Sequence, residues 1–103
     1  MKIPVIKIDG AELEMRTPKA RLWRELIKFE QERRNLKVED FCDEHVKMIA
    51  AAFGVTVEEV LDNLDVDEIL PTYMNVLTFV MELLTANLKI AKKNEEDEVA
   101  TQV

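Results

Sequence analysis

Serine is absent from the 103 residues, which include one cysteine, one histidine, two glycines and three prolines. Without serine there is no Ser-His-Asp triad, no serine-based phosphate loop and no attachment serine for phosphopantetheine, which sets aside the acyl carrier proteins, another class of small acidic helical protein. A lone Cys42 makes no internal disulfide, and a lone His45 with it falls short of a zinc ligand set, so no metal, no cofactor and a reducing, cytoplasmic setting are expected. Basic residues are also in deficit: 14 against 21 acidic, for a net charge of −7. That charge opposes approach to a phosphate backbone or an anionic membrane. Residues 1–9 carry no basic segment leading into a long apolar one, so no targeting signal is expected.

What is present is 48% hydrophobic and 34% charged residues, enough for one small core. Ile6-Lys7-Ile8 and Ala11-Glu12-Leu13 flank Asp9-Gly10, a dipeptide suited to the positive φ of a two-residue turn. This predicts a β-hairpin over 2–16, with Pro4, Ile6, Ile8, Ala11, Leu13 and Met15 on one face and Lys7 opposite Glu12 on the other. Such a hairpin is marginal alone, so Ile6, Ile8, Leu13 and Met15 are expected to pack on helices or to mediate self-association. Thr17-Pro18 predicts a helix start, with Leu22, Leu26 and Phe29 inward, Trp23 and Ile27 beside them, and an end near Asn35. The outer face of that helix is the most basic stretch of the chain.

From Val38 the stripe Phe41, Cys42, His45, Val46, Met48, Ile49, Ala52 and Phe53 predicts a second helix closed by Gly54. Thr56-Val57-Glu58-Glu59 matches a capping box that opens a short helix with Val57, Val60, Leu61 and Leu64 on its buried side. A last helix is expected from about Asp67, with Pro71 in its first turn, to about Lys93. Its apolar arc is too broad for one surface helix: either the helix is central to the bundle, or Tyr73, Met74, Val76, Leu77, Val80, Met81 and Leu84 offer a partner-binding face. Asn75, Glu82 and Asn87 interrupt the apolar window Leu70 to Leu88, which is expected to be buried in protein rather than in a membrane. The resulting expectation is a mainly α chain: a small helical bundle over 1–93 with an N-terminal hairpin and a long C-terminal helix, then an acidic flexible tail over 94–103.

A catalytic constellation does not emerge. Cys42 and His45 are three apart on a helix, but both fall on its apolar stripe, where packing is the expected role. The run Asp62 to Glu68 imitates the opening of a calcium loop, yet aligned from Asn63 it has Glu68 where the loop needs glycine and Met74 where it needs a bidentate Glu. Trp23 and Phe29 among Arg21, Arg24, Arg33 and Arg34 resemble a base-stacking platform, but the helical spacing turns Trp23 inward.

The order of elements Lys2-Ile3-Pro4-Val5-Ile6-Lys7-Ile8-Asp9-Gly10, Thr17-Pro18-Lys19-Ala20-Arg21-Leu22-Trp23-Arg24-Glu25-Leu26 and Phe53-Gly54-Val55-Thr56-Val57-Glu58-Glu59-Val60, with an apolar last helix and an acidic end, resembles the tail assembly chaperones of long-tailed phages and prophages of Gram-positive bacteria. The resemblance implies a non-enzymatic protein of virion morphogenesis. It would bind the tape measure protein, recruit tail tube subunits in the host cytoplasm, and be absent from the finished virion. Many members also exist in a longer form made by ribosomal frameshifting, and Lys92-Lys93-Asn94 is compatible with an adenine-rich slippery site. Two other readings compete. A small acidic inhibitor or DNA mimic needs a continuous acidic face, which the basic first helix interrupts. A helix-turn-helix regulator would point Glu58, Glu59 and Asp62 at phosphates.

Overall fold

Asp9 and Gly10 take φ of 52° and 82°, closing a two-residue turn between β1 (Val5–Ile8) and β2 (Ala11–Glu14). In the computed structural model, which describes residues 2–101 and the side chains of 2–86, the antiparallel register pairs Ile6 with Leu13 and Lys7 with Glu12. Both pairs are those expected from the alternation of apolar and polar residues. The apolar face lies on the chain's own helices: Ile6 and Met15 are buried, and Ile8 and Leu13 pack against the same core. The Asp9 amide donates to Asn63 Oδ1 at 2.8 Å, tying the turn to the short helix that ends there.

Helix α1 spans Ala20–Glu32 and passes into a 3₁₀ turn over Arg33–Asn35. Its cap is Lys19 rather than Thr17, with no side-chain capping bond. Lys19 supplies the carbonyl that receives the Leu22 and Trp23 amides, and residues 15–19 are spent crossing from β2. Helix α2 spans Val38–Phe53 and ends on Gly54, whose φ of 68° is the left-handed conformation a C-terminal cap requires. Helix α3 (Val57–Asn63) opens with the full capping box: Thr56 Oγ1 accepts from the Glu59 amide, and Glu59 Oε1 accepts from the Thr56 amide. Its buried side holds Val60 and Leu64, whereas Leu61 is exposed.

A 3₁₀ turn over Val66–Glu68 leads into α4 (Ile69–Thr101). Pro71 falls in the first turn of α4, where its missing N–H is harmless. The backbone helix runs past the end expected near Lys93. The acidic segment 94–103, Lys92-Lys93-Asn94 and the apolar Leu88 and Ile90 lie outside the residues whose side chains are described. The core forms where α2 meets α4, with α1, α3 and the hairpin closing over it. Leu26, Val46, Ile49, Phe53, Val60, Tyr73 and Val76 are its most deeply buried members.

Candidate interaction surfaces

Three and four residues apart on a helix share a face, so α4 can be read as two neighbouring stripes. Ile69, Tyr73, Val76 and Val80 form the first and are buried against the body of the protein. Leu70, Met74, Leu77, Met81 and Leu84 form the second, advancing in alternating steps of four and three. Leu70 is 43% exposed, Met74 42% and Met81 36%, while Leu77 and Leu84 are half-buried. The seven residues expected to bind a partner therefore divide. Tyr73, Val76 and Val80 belong to the monomer's own core, and Met74, Leu77, Met81 and Leu84 remain within reach of a second molecule.

By length and composition 66–86 is apolar enough to cross a membrane, and 28% of its most apolar 18-residue window is buried in the protein. The polar interruptions of this helix are too sparse to disqualify it, since Glu82 is the only charge between 69 and 86.

A polar and aromatic cluster holds α4 at its angle. The Tyr73 hydroxyl donates to Glu30 Oε1 at 2.5 Å, and the same oxygen accepts from Arg33 Nε at 3.1 Å. Burial, then the hydrogen bond to Glu30, raises the Tyr73 pKa well above the ordinary phenol value. The Tyr73 ring meets Phe29 and His45 edge-on at 5.3 and 4.8 Å. Wholly buried His45 has Nδ1 2.7 Å from the Phe41 carbonyl and Nε2 3.4 Å from Arg33 Nη1. Because a guanidinium only donates, Nε2 accepts and Nδ1 carries the proton. Both ring nitrogens are thereby committed within the fold.

Cys42 is exposed, against the expectation that it shares the buried stripe with His45. The two differ by only about 60° around the helix, so His45 lies within the stripe and Cys42 on its exposed margin. The two side chains are not brought together as a nucleophile and base. Asp65, Asp67 and Glu68 do bring carboxylate oxygens within 4.8 Å of one another, all exposed. They stand in the turn that opens α4, where free amides favour negative charge.

Trp23 is the chief correction to the reading of α1. It is 37% exposed rather than inward, because Leu22, Leu26 and Phe29 already fill the contact and Trp23 sits on its margin. With half-buried Ile27 it lines an open groove of about 750 Å³ that also touches Arg21, Arg24, Glu25 and Lys28. A smaller cleft of about 430 Å³ separates Ile3, Pro4 and Val5 from Asn75, Phe79 and Glu82 on α4. Periodicity alone identified both helices, but not which flank of each stripe a neighbour covers. The signal for α1 was the cluster of Arg21, Arg24 and Lys28 beside Trp23.

The model of a family described as phage tail chaperone protein matches residues 5–102 of the chain. No significant match is found among curated proteins or solved structures.

Proposed function

The chain belongs to the phage tail chaperone family, and on that premise we propose that it holds the tape measure protein in solution and recruits tail tube subunits to it during tail assembly. Membership implies a non-enzymatic role in building tails. The exposed stripe Leu70, Met74, Leu77, Met81 and Leu84 is the observation that supports a holding activity. A client that is itself a long amphipathic helix offers apolar residues at the same alternating steps of three and four, and pairing the two seams removes both from water. Methionines within the seam adapt to an imperfectly matched surface. The net charge of −7 keeps such a complex soluble while its apolar surface is shared. In this reading the protein works in the host cytoplasm, leaves before the virion is complete, and acts as a folded scaffold rather than through any catalytic group.

The test is co-expression of the tape measure protein of the same phage with and without this chain. The expected result is tape measure protein in the soluble fraction, eluting together with the chaperone, only when both are made. Tape measure protein that is equally soluble alone, or that stays insoluble in the presence of the chain, overturns the reading.

A further inference from the structure

We propose that the outer face of α1 is a second docking site, for an acidic amphipathic helix of a partner protein. Trp23 is the only tryptophan of the chain and stands 37% exposed, one turn from half-buried Ile27. These two make a short apolar ridge along the groove. Arg21, Arg24 and Lys28 advance beside it in steps of three and four, a cationic strip parallel to the ridge. Among the described residues the ion pairs are Arg33 with Glu30 and Lys47 with Glu44, so none of these three cations is engaged. Three cations outnumber the one carboxylate, Glu25, along the ridge, so the groove is locally positive. It is matched by an element with the same repeat and the opposite sign, namely a helix carrying carboxylates at steps of three and four beside an apolar seam.

Charge selects among occupants. A phosphate backbone extends beyond the groove and meets a molecule of net charge −7 around it. A second copy brings another −7 and is repelled as a whole. An acidic helix small enough to lie on α1 alone meets the local positive strip without facing the rest of the surface. This surface is distinct from the Leu70 to Leu84 stripe, so the proposal stands or falls independently of which tail protein α4 holds.

Because Trp23 lies in the groove, its own fluorescence reports occupancy. The full chain is titrated with a synthetic acidic amphipathic peptide made of repeats of Glu-Leu-Ala-Glu-Glu-Leu-Ala. The expected result is a saturable blue shift of the Trp23 emission that weakens as salt is raised. The double variant Arg24→Glu, Lys28→Glu keeps the reporter and the folded circular-dichroism spectrum, and should bind about tenfold more weakly. Four outcomes overturn the proposal. One is no shift with the peptide, and another is an equal shift with the same peptide carrying Gln for Glu. The others are a shift with single-stranded oligothymidylate but not with the peptide, and a shift that follows protein concentration alone, which would indicate a second copy.

Discussion

Tyr73 of α4 and Glu30 of α1 are joined by a 2.5 Å hydrogen bond across 43 positions of chain. It is the polar link between the helix that carries the exposed Leu/Met stripe and the helix that carries Trp23. Tyr73→Phe keeps the ring that packs on Phe29 and His45 and removes only the donor. The expected loss is about 1–2 kcal/mol, since the acceptor is a carboxylate and the bond is partly buried. Urea unfolding of the two proteins at neutral pH measures it.

Burial of the Tyr73 hydroxyl, together with the same bond, sets an alkaline limit. The folded Tyr73 pKa lies above its unfolded value of about 10, so folding favours the neutral phenol. That contribution is complete below about pH 10 and is lost as pH rises from there toward the folded pKa. Wild type should therefore lose stability on alkalinisation more steeply than Tyr73→Phe, and the two unfolding midpoints should converge. Parallel curves through that range would show that the Tyr73 pKa is not raised in the folded protein.

Gly54 ends α2 at φ 68°, and a Cβ placed there would overlap the guanidinium of Arg16. Gly54→Ala should cost about 1–2 kcal/mol, combining left-handed strain with displacement of Arg16. Thermal unfolding of Gly54→Ala beside the double variant Gly54→Ala, Arg16→Ala separates the two causes. Only the displacement part is relieved in the double variant.

Thr56→Ala removes the acceptor for the Glu59 amide and half of the reciprocal cap. A loss of about 1 kcal/mol is expected, with faster amide exchange confined to the first turn of α3. Uniformly faster exchange throughout the protein would contradict a local role.

These local features were legible before any coordinates because each is written in consecutive residues: Asp9-Gly10 for the turn, Thr56 to Glu59 for the box, Gly54 for the cap. Trp23, Cys42 and Leu61 were assigned to the wrong side for a different reason. A period of 3.6 defines the centre of an apolar stripe, but its margins are decided by the neighbour's width, which is a tertiary quantity. The breadth of the α4 arc was readable as two faces. That Tyr73, Val76 and Val80 go inward while Met74 and Met81 stay out depends on where α2 lies across it. Thr17-Pro18 carried a start signal that lost to the length of chain needed to leave β2.

That division of α4 makes the holding activity testable without unfolding the protein. Met74→Asp with Met81→Asp alters exposed positions and should cost about 1 kcal/mol per site, yet release the tape measure protein from the soluble fraction. Val80→Asp buries a carboxylate at a position only 4% exposed, and should cost about 4 kcal/mol or more. Its failure would report on folding alone. A double aspartate variant that still retains the client would exclude the stripe as the contact.

The bond between the Asp9 amide and Asn63 spans 54 positions, and it gives the molecule a schedule. The strands of the hairpin are synthesised before the helices of the core that buries Ile6 and Met15, and before Asn63, whose side chain anchors the turn. At about 5–20 residues per second the wait is about 3–10 s. A two-stranded ribbon is not stable by itself during that interval. The hairpin therefore becomes secure only once α3 has been made, well after its own two strands.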